Sequence, residues 1–173
     1  MKRILLTAFL AAAAAGCSSY RWTSGVPGTM RTVGVPTFRN RTDLAEIGAV
    51  STRQLLREFQ REGTFKPTAD GAAVEIQGEI VSVGTRGDAT NYKTGSRLHG
   101  GLMTVTAKVS VIDKVNGRVL IDNRKYTGEA PYSAGQDNTT AYRDASGRVA
   151  DDLARRIVDD VVSLDFKPLQ ERK

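Results

Sequence analysis

Apolar and polar positions alternate along this chain with two periods, and the switches between them mark its elements. From Arg31 to Phe38 (RTVGVPTF) the period is two, with Val33 and Val35, joined by Phe38, marking one apolar face; this predicts a strand. Pro36 has no amide proton to donate, so the end of this strand belongs at an edge or a bulge. Asn40 to Asp43 reads as a turn, with Thr42 or Asp43 placed to cap a helix. From Leu44 to Glu62 the period lengthens: Leu44, Ile47, Val50 or Ser51, Leu55 and Phe59 recur at spacings of three and four. Arg53, Arg57, Glu58 and Arg61 occupy the other side of this amphipathic helix, and Gly63 ends it.

The period returns to two from Ala73 to Thr85. Val74, Ile76, Gly78 and Ile80 share one face, Glu75, Gln77 and Glu79 the other, and a change of phase near Val81 predicts a bulge. Leu102 to Asp113 alternates as well, with Met103, Val105, Ala107, Val109 and Val111 opposite Thr104, Thr106, Lys108 and Ser110. Asn116-Gly117 is a hairpin signal, and Arg118 to Thr127 returns as the next strand. Gly128 to Asn138 reads as a connecting stretch before a last helix, on which Val149, Leu153, Ile157, Val161 and Leu164 form the apolar stripe.

The resulting order is β-α-β-β-β-α. Two helices with one apolar stripe each and strands with one apolar face satisfy one another in an α+β two-layer sandwich. The expectation is two helices packed on one face of a four-stranded mixed sheet, the other face polar and uncovered. The crossover through the first helix allows parallel pairing.

The first residues follow a different logic. Lys2 and Arg3 precede an uncharged apolar stretch, Ile4 to Ala15, and Ala14-Ala15-Gly16 places small residues before Cys17. Roughly a dozen apolar residues are too few to span a bilayer but suit a secretory signal. The only cysteine of the chain follows it directly, as in a bacterial lipoprotein signal, where it carries the acyl anchor. Ser18 after it implies transfer to the outer membrane in such lipoproteins. The expected organisation is a signal peptide over 1–16, a lipid-anchored tether over 17–30, one α+β domain over 31–166 and a charged tail over 167–173. Tyr20 and Trp22 in the tether sit either at the headgroup level or against the domain's edge.

Charge and chemistry narrow the function. The formal charge is +6, and without Lys2 and Arg3 the 25 basic side chains fall to 23 against 19 acidic, a net +4. Scattered basic residues and few aromatics exclude nucleic acid as a partner. One histidine, His99, and a single cysteine supply neither a metal cluster nor a nucleophile with a base, and no phosphate-binding loop is complete. Glu75, Glu79 and Asp113 are not arranged as a catalytic pair. No enzyme activity and no cofactor are expected. The Gly-rich segment Gly84 to Gly101 carries Arg86, Lys93 and Arg97, which suit phosphate contacts, and Arg124 and Lys125 on the following strand extend such a patch if they face the same way. Lys108 and Asp113, read on the outer face of their strand, make that face too charged for lipid.

Cys17-Ser-Ser-Tyr-Arg, Val33-Gly-Val-Pro-Thr-Phe-Arg-Asn-Arg-Thr42, Leu55-Leu-Arg-Glu-Phe59 and Val74-Glu-Ile-Gln-Gly-Glu-Ile80, in that order, resemble the LptE family of lipopolysaccharide-assembly lipoproteins. The resemblance implies a non-catalytic outer-membrane lipoprotein, facing the periplasm, that assists assembly of the LptD β-barrel and touches lipopolysaccharide during delivery to the cell surface. The family's features transfer no binding residue, so Arg86, Lys93, Arg97, Arg124 and Lys125 stand as lipopolysaccharide-binding candidates on their chemistry alone. The same opening strand also resembles lipoproteins of curli-export-like complexes, which leaves a structural subunit of an envelope or secretion complex, or a periplasmic binding module, as the alternatives.

Overall fold

The computed structural model describes residues 26–87, 99–134 and 138–166. The chain enters through a single 3₁₀ turn, Gly28–Met30, and then forms β1 (Thr32–Gly34), β2 (Arg39–Asn40), α1 (Ile47–Glu62), β3 (Lys66–Pro67), β4 (Val74–Gly87), β5 (His99–Asp113), β6 (Arg118–Ala134) and α2 (Asn138–Val162). The sheet order is β3-β1-β4-β5-β6, with β2 also on β4. β1 and β2 run parallel to β4, and β3 runs parallel to β1. The long strands β4, β5 and β6 are antiparallel.

The sheet therefore has six strands, not the expected four. Pro36 explains the first difference. It interrupts the expected Arg31–Phe38 strand, so that β1 and β2 pair separately with β4 at Val33↔Val74 and Arg39↔Glu79. β3 is two residues long and has no periodicity to read. The second difference is length: β6 continues through the stretch expected to be a connection. Gly128 sits there because α2 crosses directly over it. A Cβ on Gly128 would lie 2.5 Å from the Val149 carbonyl oxygen and 2.8 Å from the Leu153 amide.

Residues 35–40 act as a clamp between α1 and β4. The Phe38 amide donates to Thr52 Oγ1 at 2.9 Å, and that hydroxyl donates to the Gly48 carbonyl at 2.9 Å. The Asn40 side chain accepts from the Thr42 amide and hydroxyl and donates to the Leu44 carbonyl, which shapes the turn into α1. Thr42 and Asp43 do not cap the helix; Glu46 stands at its N-cap without a side-chain bond. Gly63 does end it, at φ 85° with its amide on the Phe59 carbonyl, a left-handed cap that glycine adopts without strain.

Both helices lie on one face of the sheet. Ile47, Leu55 and Phe59 of α1, Val149, Leu153, Ile157 and Val161 of α2, and the odd-numbered residues from Met103 to Val111 on β5 are all buried. Phe65 joins Phe59 and Phe166 edge to face at 5.8 and 5.4 Å, closing one end of the core. Ser51, rather than Val50, takes the buried helical position, and its hydroxyl is without a partner among the described residues. Glu58 is likewise buried rather than solvated, with Arg61 at 2.5 Å. The phase change near Val81 is a bulge between Ile80 and Ser82.

Asp113 differs from its expected place on the outer face. By alternation it follows Val111 onto the helix side, and it is fully buried. Its oxygens accept from the Asn116 amide and side chain at 2.8 Å and from Arg118 Nη2 at 3.0 Å. Burial alone raises its pKa, but the bonds from Asn116 and Arg118 outweigh burial and hold it below the usual aspartate value.

Candidate functional site: the uncovered face of the sheet

The face of the sheet turned away from the helices is polar. Glu75, Gln77 and Glu79 on β4, Thr104, Thr106, Lys108 and Ser110 on β5, and Lys125, Thr127 and Glu129 on β6 are half-buried or exposed there. Strand registry sets them in rows: Gly84–Thr104–Glu129, Ser82–Thr106–Thr127 and Glu79–Lys108–Lys125. Thr106 and Thr127 share a hydrogen bond at 3.0 Å, which fixes both side chains on this face. At the lower edge, Arg41 Nε meets Glu79 at 2.5 Å, and Lys114 Nζ meets Glu75 at 3.1 Å. The Gln77 side chain and Lys114 donate to Glu75 and keep its pKa below the ordinary value.

The structure separates the basic residues expected to act together. Arg86, opposite Leu102 near the end of β4, is exposed. Lys125 is exposed opposite Lys108. Arg124, the preceding residue, turns to the other side of the strand and pairs with Asp160 of α2, which raises its pKa. Asp160 also accepts from the Tyr126 hydroxyl. Burial first, and then that bond, push the Tyr126 pKa up. Arg124 is thus a link between β6 and α2 and leaves the candidate patch. Lys93, Arg97 and Cys17 lie outside the described residues, as does the side chain of His99.

Sequence reasoning missed Lys108 as the cross-strand neighbour of Lys125. The signal was present in part. A two-residue turn at Asn116-Gly117 pairs 115 with 118, and counting back from it sets 108 opposite 125. The actual connection has four residues, and two irregularities in the β5–β6 register restore the count by Lys108. One lies where Asn123 takes a positive φ of 46° and its amide bonds Ser110 Oγ at 3.0 Å. No group of three or more His, Cys, Asp or Glu among the described residues is arranged to hold a metal.

Fold and face define a class first: a two-layer α+β domain that fills one side of its sheet with its own helices and leaves the other polar. The chain belongs to the LptE family, described as lipopolysaccharide-assembly, whose pattern matches residues 30–161. It is therefore a non-catalytic outer-membrane lipoprotein of lipopolysaccharide assembly, lipid-anchored and facing the periplasm. Its fold is similar to that of a hypothetical protein from Chlamydia trachomatis, at TM-score 0.52 and 15% identity over 78% of this chain and 97% of that one. A protein from Xanthomonas campestris is also similar, at TM-score 0.52 and 12% identity over 79% and 88%. No curated protein matches the chain in sequence.

Proposed function

We propose that this lipoprotein acts as the docked companion of an LptD-like β-barrel and that its uncovered sheet face, with the hairpin between β4 and β5, meets lipopolysaccharide during delivery. The observation that carries this reading is the contrast between the two faces of one sheet. A polar face left open in an otherwise well-packed domain suits the polar lumen of an outer-membrane barrel, and it does not suit lipid tails. Arg86 and Lys125 on that face, continued in sequence by Lys93 and Arg97, offer a planar guanidinium fork and point charges to phosphate groups. Cys17 as the acylated residue, with 17–30 as tether, 31–166 as domain and 167–173 as tail, completes the proposal. Two or more acyl chains give stable anchoring, since a single chain binds only marginally.

Site-specific photo-crosslinking tests it. A photoreactive residue at Thr106, on the open face, is expected to capture a large outer-membrane barrel or lipopolysaccharide. The same residue at Arg155, on the solvated side of α2, serves as comparison. Capture at Arg155 with none at Thr106 contradicts the reading.

A further inference from the structure

The two most exposed large apolar side chains among the described residues share one end of the sheet. Val115 and Val119 are 58% and 60% exposed. Val119 lies directly across from Ile112, and alternation between the buried Val111 and Asp113 turns Ile112 onto the open face. Val115 belongs to the connection between the same two strands, where polar turn residues are the rule. Single exposed apolar residues are ordinary, but a group of them at a tip marks a contact.

The chain enters the domain at this same end. Val26 and Met30 are buried, and the Asn116 side chain lies 4.0 Å from Met30 Sδ. The nine residues 17–25 separate the anchor position from Val26 and reach at most about 32 Å when extended. The end that carries the valines is thus tethered close to the leaflet that holds the acyl chains. Cationic residues gather there as well. The Lys66 amide donates to the Arg31 carbonyl at 2.7 Å, the Lys114 amide to the Ala73 carbonyl at 2.8 Å, and the Ala73 amide to Thr32 Oγ1 at 2.9 Å. Lys114 is engaged by Glu75, whereas Arg31 and Lys66 are exposed and have no ion pair among the described residues. Their stems can lie along apolar surface while their heads reach lipid phosphates.

We propose that this end of the domain, with Val115 and Val119 flanked by Arg31 and Lys66, rests on the phospholipid surface of the anchoring leaflet. It is a second membrane contact beside the acyl anchor. Interfacial binding grows with buried apolar area and with attraction to anionic headgroups, and both are small here. The anchor therefore supplies the local concentration, and the tip sets the orientation. The far ends of β4 and β5, at Gly87 and His99, are then turned away from the membrane. The contact belongs to the lipoprotein before it meets a barrel and does not rest on the function proposed above.

The purified, acylated lipoprotein is reconstituted without a barrel into vesicles of phosphatidylethanolamine and phosphatidylglycerol. With Cys17 acylated, Val115→Cys carries an environment-sensitive dye as the one free thiol, and Arg155→Cys on α2 is the comparison. Phospholipids brominated near the headgroup are expected to quench the dye at 115 several-fold more than the dye at 155. Val119→Asp is expected to abolish the difference without moving the melting temperature, and Val119→Leu to retain it. Equal quenching at 115 and 155, or a difference that survives Val119→Asp, overturns the proposal. Quenching that ignores bromine but rises with protein density assigns the tip to a second copy of the chain and overturns the membrane as its occupant. A dye that responds to Trp22→Ala instead of to bromine assigns it to the tether, with the same consequence.

Discussion

The ring of Phe38 lies so close over Gly78 that a Cβ on the glycine would sit 2.3 Å from Cζ. The carbonyl of the same phenylalanine comes within 2.5 Å of where a Cβ of Gly48 would be, on α1. One side chain and its backbone thus hold α1, β2 and β4 at a fixed spacing. The Phe-x-Asn-x-Thr pattern that helped suggest the family is a scaffold device: Phe38 clamps, while Asn40 and Thr42 shape the turn. Gly78→Ala is expected to cost about 1–3 kcal/mol by overpacking. Phe38→Ala alone costs about 3–5 kcal/mol, and the double variant is less damaged than the sum. Chemical denaturation of the four proteins reads this coupling.

Arg86 and Arg124 have the same side chain and opposite situations. Arg86→Ser is expected to weaken lipopolysaccharide binding several-fold without moving the melting temperature. Arg124→Ser is expected to leave binding unchanged, because its guanidinium is spent on Asp160. Binding measured beside thermal melting separates the two.

Asp113 predicts an acid response. Its folded pKa is depressed, so its contribution is full above the unfolded value near 3.9 and is lost as pH falls through the folded value. Asp113→Asn is expected to cost about 1.5–3 kcal/mol at pH 7 and progressively less below about pH 4. Urea midpoints of both proteins between neutral and acid pH check it.

Tyr126 predicts the opposite flank. Its folded pKa is raised by burial and by Asp160, so the neutral phenol contributes fully below the unfolded value near 10, and that contribution is lost as pH rises through the folded one. Tyr126→Phe is expected to remove this alkaline loss while costing about 1–2 kcal/mol at pH 7. Stability against pH above neutrality, followed by tyrosinate absorbance, measures it.

How much of this was legible in the sequence depends on the range of the interactions. The two helices, the three long strands, the bulge beside Val81 and the Gly63 cap are local and are readable from period and residue type. β2 and β3 are two-residue strands fixed by their neighbours, so no window of sequence contains them. Gly128 was readable as a breaker, yet it serves a helix approaching from twenty residues away. Alternation alone sets Arg124 on the face opposite Lys125, but its partner Asp160 lies 36 residues away. The site followed the same division: alternation placed Lys108 on the polar face, but Arg39, Glu79 and Lys125 joined it only through strand registry.

The most direct test of the central claim is purification of the intact lipoprotein from outer membranes under mild detergent, with the mass of the complex measured. The account predicts a stoichiometric complex with one large β-barrel protein. Recovery of only a ring of identical copies of this chain would contradict it.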